Sequence, residues 1–202
     1  MKNKKWVSLL LLVAVASNVA VFAKSNALKE MYDNVLAGLG GGSASHVVQA
    51  VGTIEVAFSP KSGGTETIVK VINEAKQSIL VQAYSFTSAP IAKALAEAKA
   101  RGVDVQVILD KSQNSEKYTS ATYIASHDIP VRIDTQHAIA HNKIMICDEL
   151  NVVTGSFNFT KAAEEKNAEN VLVLRGNQEL AKLYIKNWQM HWAHSQEYER
   201  RS

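Results

Sequence analysis

The stretch His141-Asn142-Lys143-Ile144-Met145-Ile146-Cys147-Asp148-Glu149-Leu150-Asn151-Val152-Val153-Thr154-Gly155-Ser156-Phe157-Asn158 decides how this chain is read. Ile144 to Cys147 is an apolar run with the length and β-branched content of a buried strand. Val152 to Thr154 is a second such run, and the polar residues Asp148 to Asn151 between them read as a turn. Alternation along a strand sends His141 and Lys143 to the same face. If a four-residue loop closes the hairpin, Cys147 pairs with Val152. Lys143 then stands opposite Ser156 and His141 opposite Asn158, with all four side chains on one face. Imidazole, ammonium, hydroxyl and amide together offer one nucleophile or proton carrier and several donors. That set suits an anionic tetrahedral group such as a phosphodiester better than a carbonyl or a metal ion.

Outward from the hairpin, strand-like and helix-like runs alternate. Strands are expected at Thr53 to Phe58, Ser78 to Ser85, Val103 to Leu109, Pro130 to Asp134 and Asn170 to Leu174. Helices are expected at Glu66 to Lys76, Pro90 to Arg101, Glu116 to Ser126, after Thr160, and from Gln178 to His194. This order predicts an α/β fold, a mixed sheet covered by helices, with the site at strand ends and in adjoining loops. Gly63-Gly64 reads as a turn entering a helix with Thr65 near its N-cap, the sharper alternative being a substrate-proximal loop. No Gly-Lys-Ser/Thr follows it, so it is not a P-loop.

The pattern His141-x-Lys143-x4-Asp148-x6-Gly155-Ser156-x-Asn158 resembles that of the phospholipase D superfamily, the HKD enzymes. Phe58-Ser59-Pro60, Gly63-Gly64, Ala83-Tyr84-Ser85-Phe86-Thr87 and Asn167-Ala168-Glu169-Asn170 narrow the likeness to the small bacterial Nuc-type endonucleases, from about Phe58 to Trp192. The resemblance implies a phospholipase D-like fold and a catalytic set of His141, Lys143, Ser156, Asn158 and Glu169, with no cofactor and no metal. It implies hydrolysis through a phosphohistidine, one histidine attacking phosphorus while a second protonates the leaving oxygen. Relatives with two motifs draw one histidine from each. Here His127 and His137 lack a lysine two positions on, so the single motif implies a homodimer with the site at its twofold axis. Glu169 is expected to orient the histidine ring. Asp148, like Gly155, is expected to be structural, its carboxylate capping backbone amides of the turn or pairing with a distant base.

Lys2, Lys4 and Lys5, the apolar run from Trp6 through Ala16 and the small residues around Val21-Phe22-Ala23 read as a secretory signal over residues 1–23, implying a periplasmic or secreted protein without a lasting membrane anchor. The formal charge of the whole chain is +3, and those lysines account for it. Binding of nucleic acid, DNA or RNA, must therefore rest on a local patch and not on net charge. Lys24 to Leu39 has the pattern of one short helix, and Gly38 to Ser43 that of a flexible linker, so residues 24–52 precede a catalytic domain at 53–202. Cys147, the one cysteine, reads as a small core residue. His191 and His194, three apart beside Trp188 and Trp192, have a spacing that can hold zinc. No third ligand is evident from sequence, so they read as packing and surface groups, with the tryptophans seating the last helix on the sheet.

Three functions from different classes follow: a secreted non-specific nuclease, a phospholipase D or phosphatidyl transferase using the same chemistry, and a non-catalytic binding protein. No amphipathic apolar helix marks a lipid enzyme. A binder has no evident need for the whole set of His141, Lys143, Ser156, Asn158 and Glu169.

Overall fold

A computed structural model describes residues 45 to 199. The leader, the helix expected at Lys24 to Leu39 and the Gly38 to Ser43 linker lie outside the described residues. The compact unit that begins at Val48 holds every element below.

Eight strands form one mixed sheet: β1 (Thr53–Ser59), β2 (Ser78–Ala83), β3 (Asp104–Asp110), β4 (Val131–Asp134), β5 (Lys143–Cys147), β6 (Asn151–Gly155), β7 (Glu169–Arg175) and β8 (Gln196–Glu197). Their order across the sheet is β1-β7-β6-β5-β2-β3-β4-β8. β2, β3 and β4 run parallel, joined by α1 (Gly64–Glu74) before them and by α2 (Ala89–Ala100) and the short α3 (Ala121–Ala125) between them. The β5–β6–β7–β1 side is antiparallel. α4 (Lys161–Glu165) leads into β7, and α5 (Gln178–His194) closes the fold. The expected mixed sheet flanked by helices is therefore the observed one.

Each face has its own core. On one, Ile68, Val71 and Ile72 of α1 and Ile91 and Leu95 of α2 pack on Ile79, Val81, Val105 and Val107, and Phe86, Phe157 and Phe159 fill the end near the loops. The i, i+3, i+4 spacing of the α1 residues makes the stripe a helix buries. The alanines of α2 let it lie close to its neighbours, Pro90 suits its first turn, and Gly102, at φ 90°, ends it. On the other face α5 sets Ala181 and Trp188 on Ile108, Ile144, Ile146 and Val152. The Trp188 indole N–H donates to the Val81 carbonyl at 2.9 Å, and its ring stacks on Trp192 at 4.9 Å between centroids. The tryptophans thus seat the helix on the sheet.

The hairpin register differs from expectation by one residue. Cys147 pairs with Asn151, Ile146 with Val152 and Met145 with Val153. Asp148 and Glu149 take φ of 56° and 53°, and the Leu150 N–H donates to the Cys147 carbonyl at 3.1 Å. Two consecutive left-handed residues make a tight turn, shorter than the loop read from polarity alone. The same register carried onward sets Lys143 level with Gly155, not Ser156. Since a one-residue slip exchanges faces, His141, Ser156 and Asn158 lie in loops beyond the ladder and are not cross-strand pairs.

Other boundaries moved for local reasons. α1 starts two residues early because the Glu164 carboxylate accepts the N–H groups of Gly63 and Thr65, at 3.2 and 2.7 Å. Gly63 is its N-cap at φ 83°, so Gly63-Gly64 is a turn entering a helix, and Thr65 lies inside that helix and not at the cap. The polar helix expected at Glu116 to Ser126 is reduced to α3, preceded by a 3-10 turn at Lys111–Asn114. Buried Gln113 draws the intervening loop in, its amide oxygen accepting from the Phe86 N–H and the Thr119 hydroxyl. β8, at two residues, is too short to show a periodicity in the sequence.

Candidate active site

Strand direction brings the chemistry to one edge. The last residues of β1, β2, β3, β4 and β6 and the first residues of β5 and β7 all lie at the same end of the sheet. Ala83 pairs with Lys143, and Ser59 with Glu169. By alternation, Lys143, Glu169 and Ser59 share the face on which Met145, Val171 and Ala57 are packed. Glu169 begins β7 and does not precede it.

Lys143 is the unusual group here. Its side chain is buried, with the residue only 6 % exposed. Nζ donates to the His141 carbonyl at 2.7 Å and lies 5.1 Å from the Tyr84 ring centroid. Burial pulls its pKa below the ordinary lysine value, and the Glu169 carboxylate opposes that pull. A poorly hydrated ammonium held by one carbonyl and a nearby carboxylate is ready to trade partners for an incoming anion. His141 itself is exposed, with its ring 4.6 Å from that of Tyr84.

Ser156 and Asn158 follow β6 as it leaves the ladder. Gly155 stands at φ 148°, and a Cβ there would strike the Asn170 carbonyl, so only glycine lets the chain pass β7 this closely. The Ser156 hydroxyl accepts from the Asn170 backbone and side-chain amides at 3.1 and 3.2 Å. Phe157 is buried beneath the α1 N-terminus, where Gly64 leaves room for its ring. The Asn158 Oδ1 is buried without a hydrogen-bond partner among the described residues. Glu169 accepts from the Asn167 amide at 3.1 Å, and no hydrogen bond joins it to His141 among the described residues. One chain thus groups His141, Lys143, Tyr84 and Glu169 around one ammonium, while Ser156 is held by Asn170. Tyr84 belongs to the Ala83-Tyr84-Ser85-Phe86-Thr87 stretch that leaves β2, and its contact with both histidine and lysine shows only in three dimensions.

Asp148 faces away from this edge. Its carboxylate accepts the N–H groups of Lys76, Gln77 and Ser78 at 2.7 to 3.1 Å. Burial would raise its pKa, but those bonds outweigh it and hold the carboxyl below the ordinary aspartate value. Cys147 is 1 % exposed, and burial together with the Asp148 charge pushes its thiol up to about 12, which leaves it inert.

His191 and His194 do have company. Asp134, wholly buried at the end of β4, and His137 in the following loop meet them, and the candidate ligand atoms of all four lie within 4.8 Å of one another. No third ligand is legible beside His191 and His194 along the chain because Asp134 and His137 sit more than fifty residues upstream.

Comparison with known proteins agrees with the architecture. Residues 68–192 match the family model described as "Cardiolipin synthase, PLD-like domain". The chain is 44 % identical over 135 residues to a protein of Rickettsia conorii named phospholipase D, the match covering 67 % of each chain. It is 27 % identical over 125 residues to the mitochondrial cardiolipin hydrolase of Mus musculus, covering 62 % of this chain and 56 % of that one. Among solved structures, the phospholipase D family member Nuc of Salmonella typhimurium superposes with a TM-score of 0.70 at 42 % identity, covering 73 % of this chain and 98 % of that one. NucT from Helicobacter pylori, at 22 % identity and a TM-score of 0.64, shares the fold. With its sheet order, its His-x-Lys edge and these likenesses taken together, the chain belongs to the phospholipase D superfamily of enzymes.

Proposed function

We propose that the protein is a phosphodiesterase that cuts nucleic-acid phosphodiester bonds as a non-specific endonuclease, working as a homodimer through a phosphohistidine. The observation that carries the chemistry is the pairing of an exposed imidazole, His141, with a buried ammonium, Lys143, at the lip of the sheet. One neutral His141 attacks phosphorus in line and breaks the bond to the leaving oxygen. A protonated His141 from the second copy gives that oxygen its proton. The second histidine, now neutral, takes a proton from water as the water oxygen attacks the phosphohistidine, which restores both residues. Two copies of Lys143 carry the charge that grows on the non-bridging oxygens, and the Asn158 amide and Ser156 hydroxyl add hydrogen bonds. Glu169 favours the charged form of Lys143 against the pull of burial and, on this reading, positions the histidine ring in the assembled site. Export is proposed from the basic, then apolar, leader at residues 1–23.

A polymeric anion as substrate is supported by what surrounds the site. The loops at this edge carry exposed Lys61, Lys111, Lys117, Lys161 and Lys166, and Tyr118 is 72 % exposed beside Lys117. Lysines contact phosphates and an open tyrosine offers a face on which a base stacks. A second reading, a lipid phosphodiesterase, is favoured by one feature. Ile54, Val56 and Phe58, at 66, 51 and 61 % exposed, form an apolar row along edge strand β1 that runs to the site end of the strand, on the sheet face opposite Ser59 and Glu169.

Plasmid DNA and phosphatidylcholine vesicles, offered side by side without added divalent cation, separate the two. DNA cutting by the wild type and not by His141→Ala supports the proposal. Turnover of lipid alone favours the second reading, and cutting that persists in His141→Ala, or needs added Mg2+, sinks the histidine mechanism. Light scattering tests the dimer, since a fully active monomer contradicts a site shared between two copies.

A further inference from the structure

Asp134, His137, His191 and His194 form a polar cluster that the phosphodiesterase chemistry does not use. Nδ1 of His137, Nδ1 of His191 and Nε2 of His194 lie 2.9, 3.0 and 3.2 Å from the same oxygen, Asp134 Oδ2. A carboxylate oxygen presents about two lone pairs, so three ring nitrogens crowd it beyond what ordinary hydrogen bonding fills. Its other oxygen already accepts the backbone N–H groups of Gln136 and His137. The carboxylate is wholly buried, and the side chains of His191 and His194 are 14 and 21 % exposed, so water does little to relieve the crowding.

We infer that Asp134, His137, His191 and His194 constitute a binding site for one tetrahedral divalent transition-metal ion, of which Zn2+ is the best match. Metal–ligand distances of about 2.0–2.2 Å place the ligand atoms of a tetrahedron about 3.3–3.5 Å apart. The observed nitrogen-to-oxygen separations are within a few tenths of an ångström of that. The longest separations in the set, up to 4.8 Å, close by rotation of imidazoles, most freely that of His137, whose side chain is 46 % exposed. Three imidazoles and one carboxylate are a donor set that zinc accepts and that magnesium or calcium does not favour. With four ligands from protein the shell is closed, as in structural and not catalytic zinc sites. The ion would join the end of β4, the last turn of α5 and the loop from 135 to 142 that leads to His141. The Asp110 carboxylate already fixes that loop by accepting the Ala140 N–H at 2.7 Å.

Cobalt titration tests this directly, with the full chain first freed of metal by a chelator and then dialysed. The expected result is one Co2+ per chain with the intense visible absorption of tetrahedral cobalt, displaced by one equivalent of Zn2+, and a higher melting temperature with Zn2+ than without. His191→Ala and, separately, His137→Ala should weaken binding by about 10- to 100-fold or more, whereas His141→Ala and His127→Ala should leave it unchanged. His137 is exposed enough that its loss should not prevent folding, so the test survives if an Asp134 or His191 variant fails to fold. Absence of stoichiometric binding, an octahedral spectrum, binding that persists undiminished in His137→Ala and His191→Ala, or binding lost in His141→Ala would each overturn the assignment.

Discussion

A buried lysine is a liability to folding and an asset to binding, and Lys143 is the residue where the two can be told apart. Its pKa is lowered by burial, so the folded state disfavours the charged form, and stability linked to this group rises only as pH climbs through the lowered value. Lys143→Met keeps the length and removes the buried charge. The expected outcome is a melting temperature equal to or above that of the wild type, with a loss of DNA cleavage of about 100-fold or more. Calorimetry and a plasmid assay on the same preparation check it. A fall in both would make Lys143 a structural residue.

Asp148, the third letter of its motif, behaves in the opposite way. Its pKa is depressed, so its contribution is fully present above the unfolded aspartate value near 4 and is lost as pH falls through the lower folded value. Asp148→Ala abandons three backbone N–H groups and should cost about 1–3 kcal/mol at neutral pH. Urea denaturation should show that difference shrinking below about pH 4. Activity per folded molecule should be unchanged, because the carboxylate points away from the site edge.

At the scale of elements, glycines decide how closely the strands and helices approach. A methyl group on Gly64 would press into the Phe157 ring at 2.7 Å. Gly64→Ala is therefore expected to cost about 1–3 kcal/mol and, by pushing Phe157, to disturb Ser156 and Asn158 on either side of it. A drop in kcat larger than the loss of folded protein explains is the signature to look for. In the β5–β6 turn, Glu149 holds a left-handed conformation that a glutamate pays for. Glu149→Gly should raise the unfolding midpoint by the equivalent of about 0.5–1 kcal/mol, the relief of that strain less the added freedom of the unfolded chain. No change at all would mean that the turn is not strained.

For the whole molecule, a sequence that carries no net formal charge beyond residue 23 and gathers lysines at one edge predicts local and salt-sensitive capture of polyanions. Removing both Lys111 and Lys117 by alanine substitution should lower the salt slope of duplex binding by about 2. Hydrolysis of a small chromogenic diester should be untouched, since those lysines sit on the rim. An unchanged slope would move the nucleic-acid path elsewhere.

Much of this was legible beforehand because it depends on local pattern. The alternation of apolar runs marked the strands, the i, i+3, i+4 stripe of Ile68, Val71 and Ile72 marked a helix, and the spacing of His141, Lys143, Gly155, Ser156 and Asn158 marked the superfamily. Other features were set by contacts between distant segments. The hairpin register turned on whether two residues accept left-handed φ, which polarity does not reveal, and the start of α1 turned on a carboxylate a hundred residues away. His191 and His194 carried half of a ligand set in their spacing, but the other half, Asp134 and His137, reaches them only when β4 and α5 pack together. Sequence by itself determined which groups this protein owns and which elements carry them, since both follow from side-chain chemistry and period. Only the tertiary structure decided which of those groups meet, because that depends on strand register, burial and the close approach of segments that have no relation along the chain.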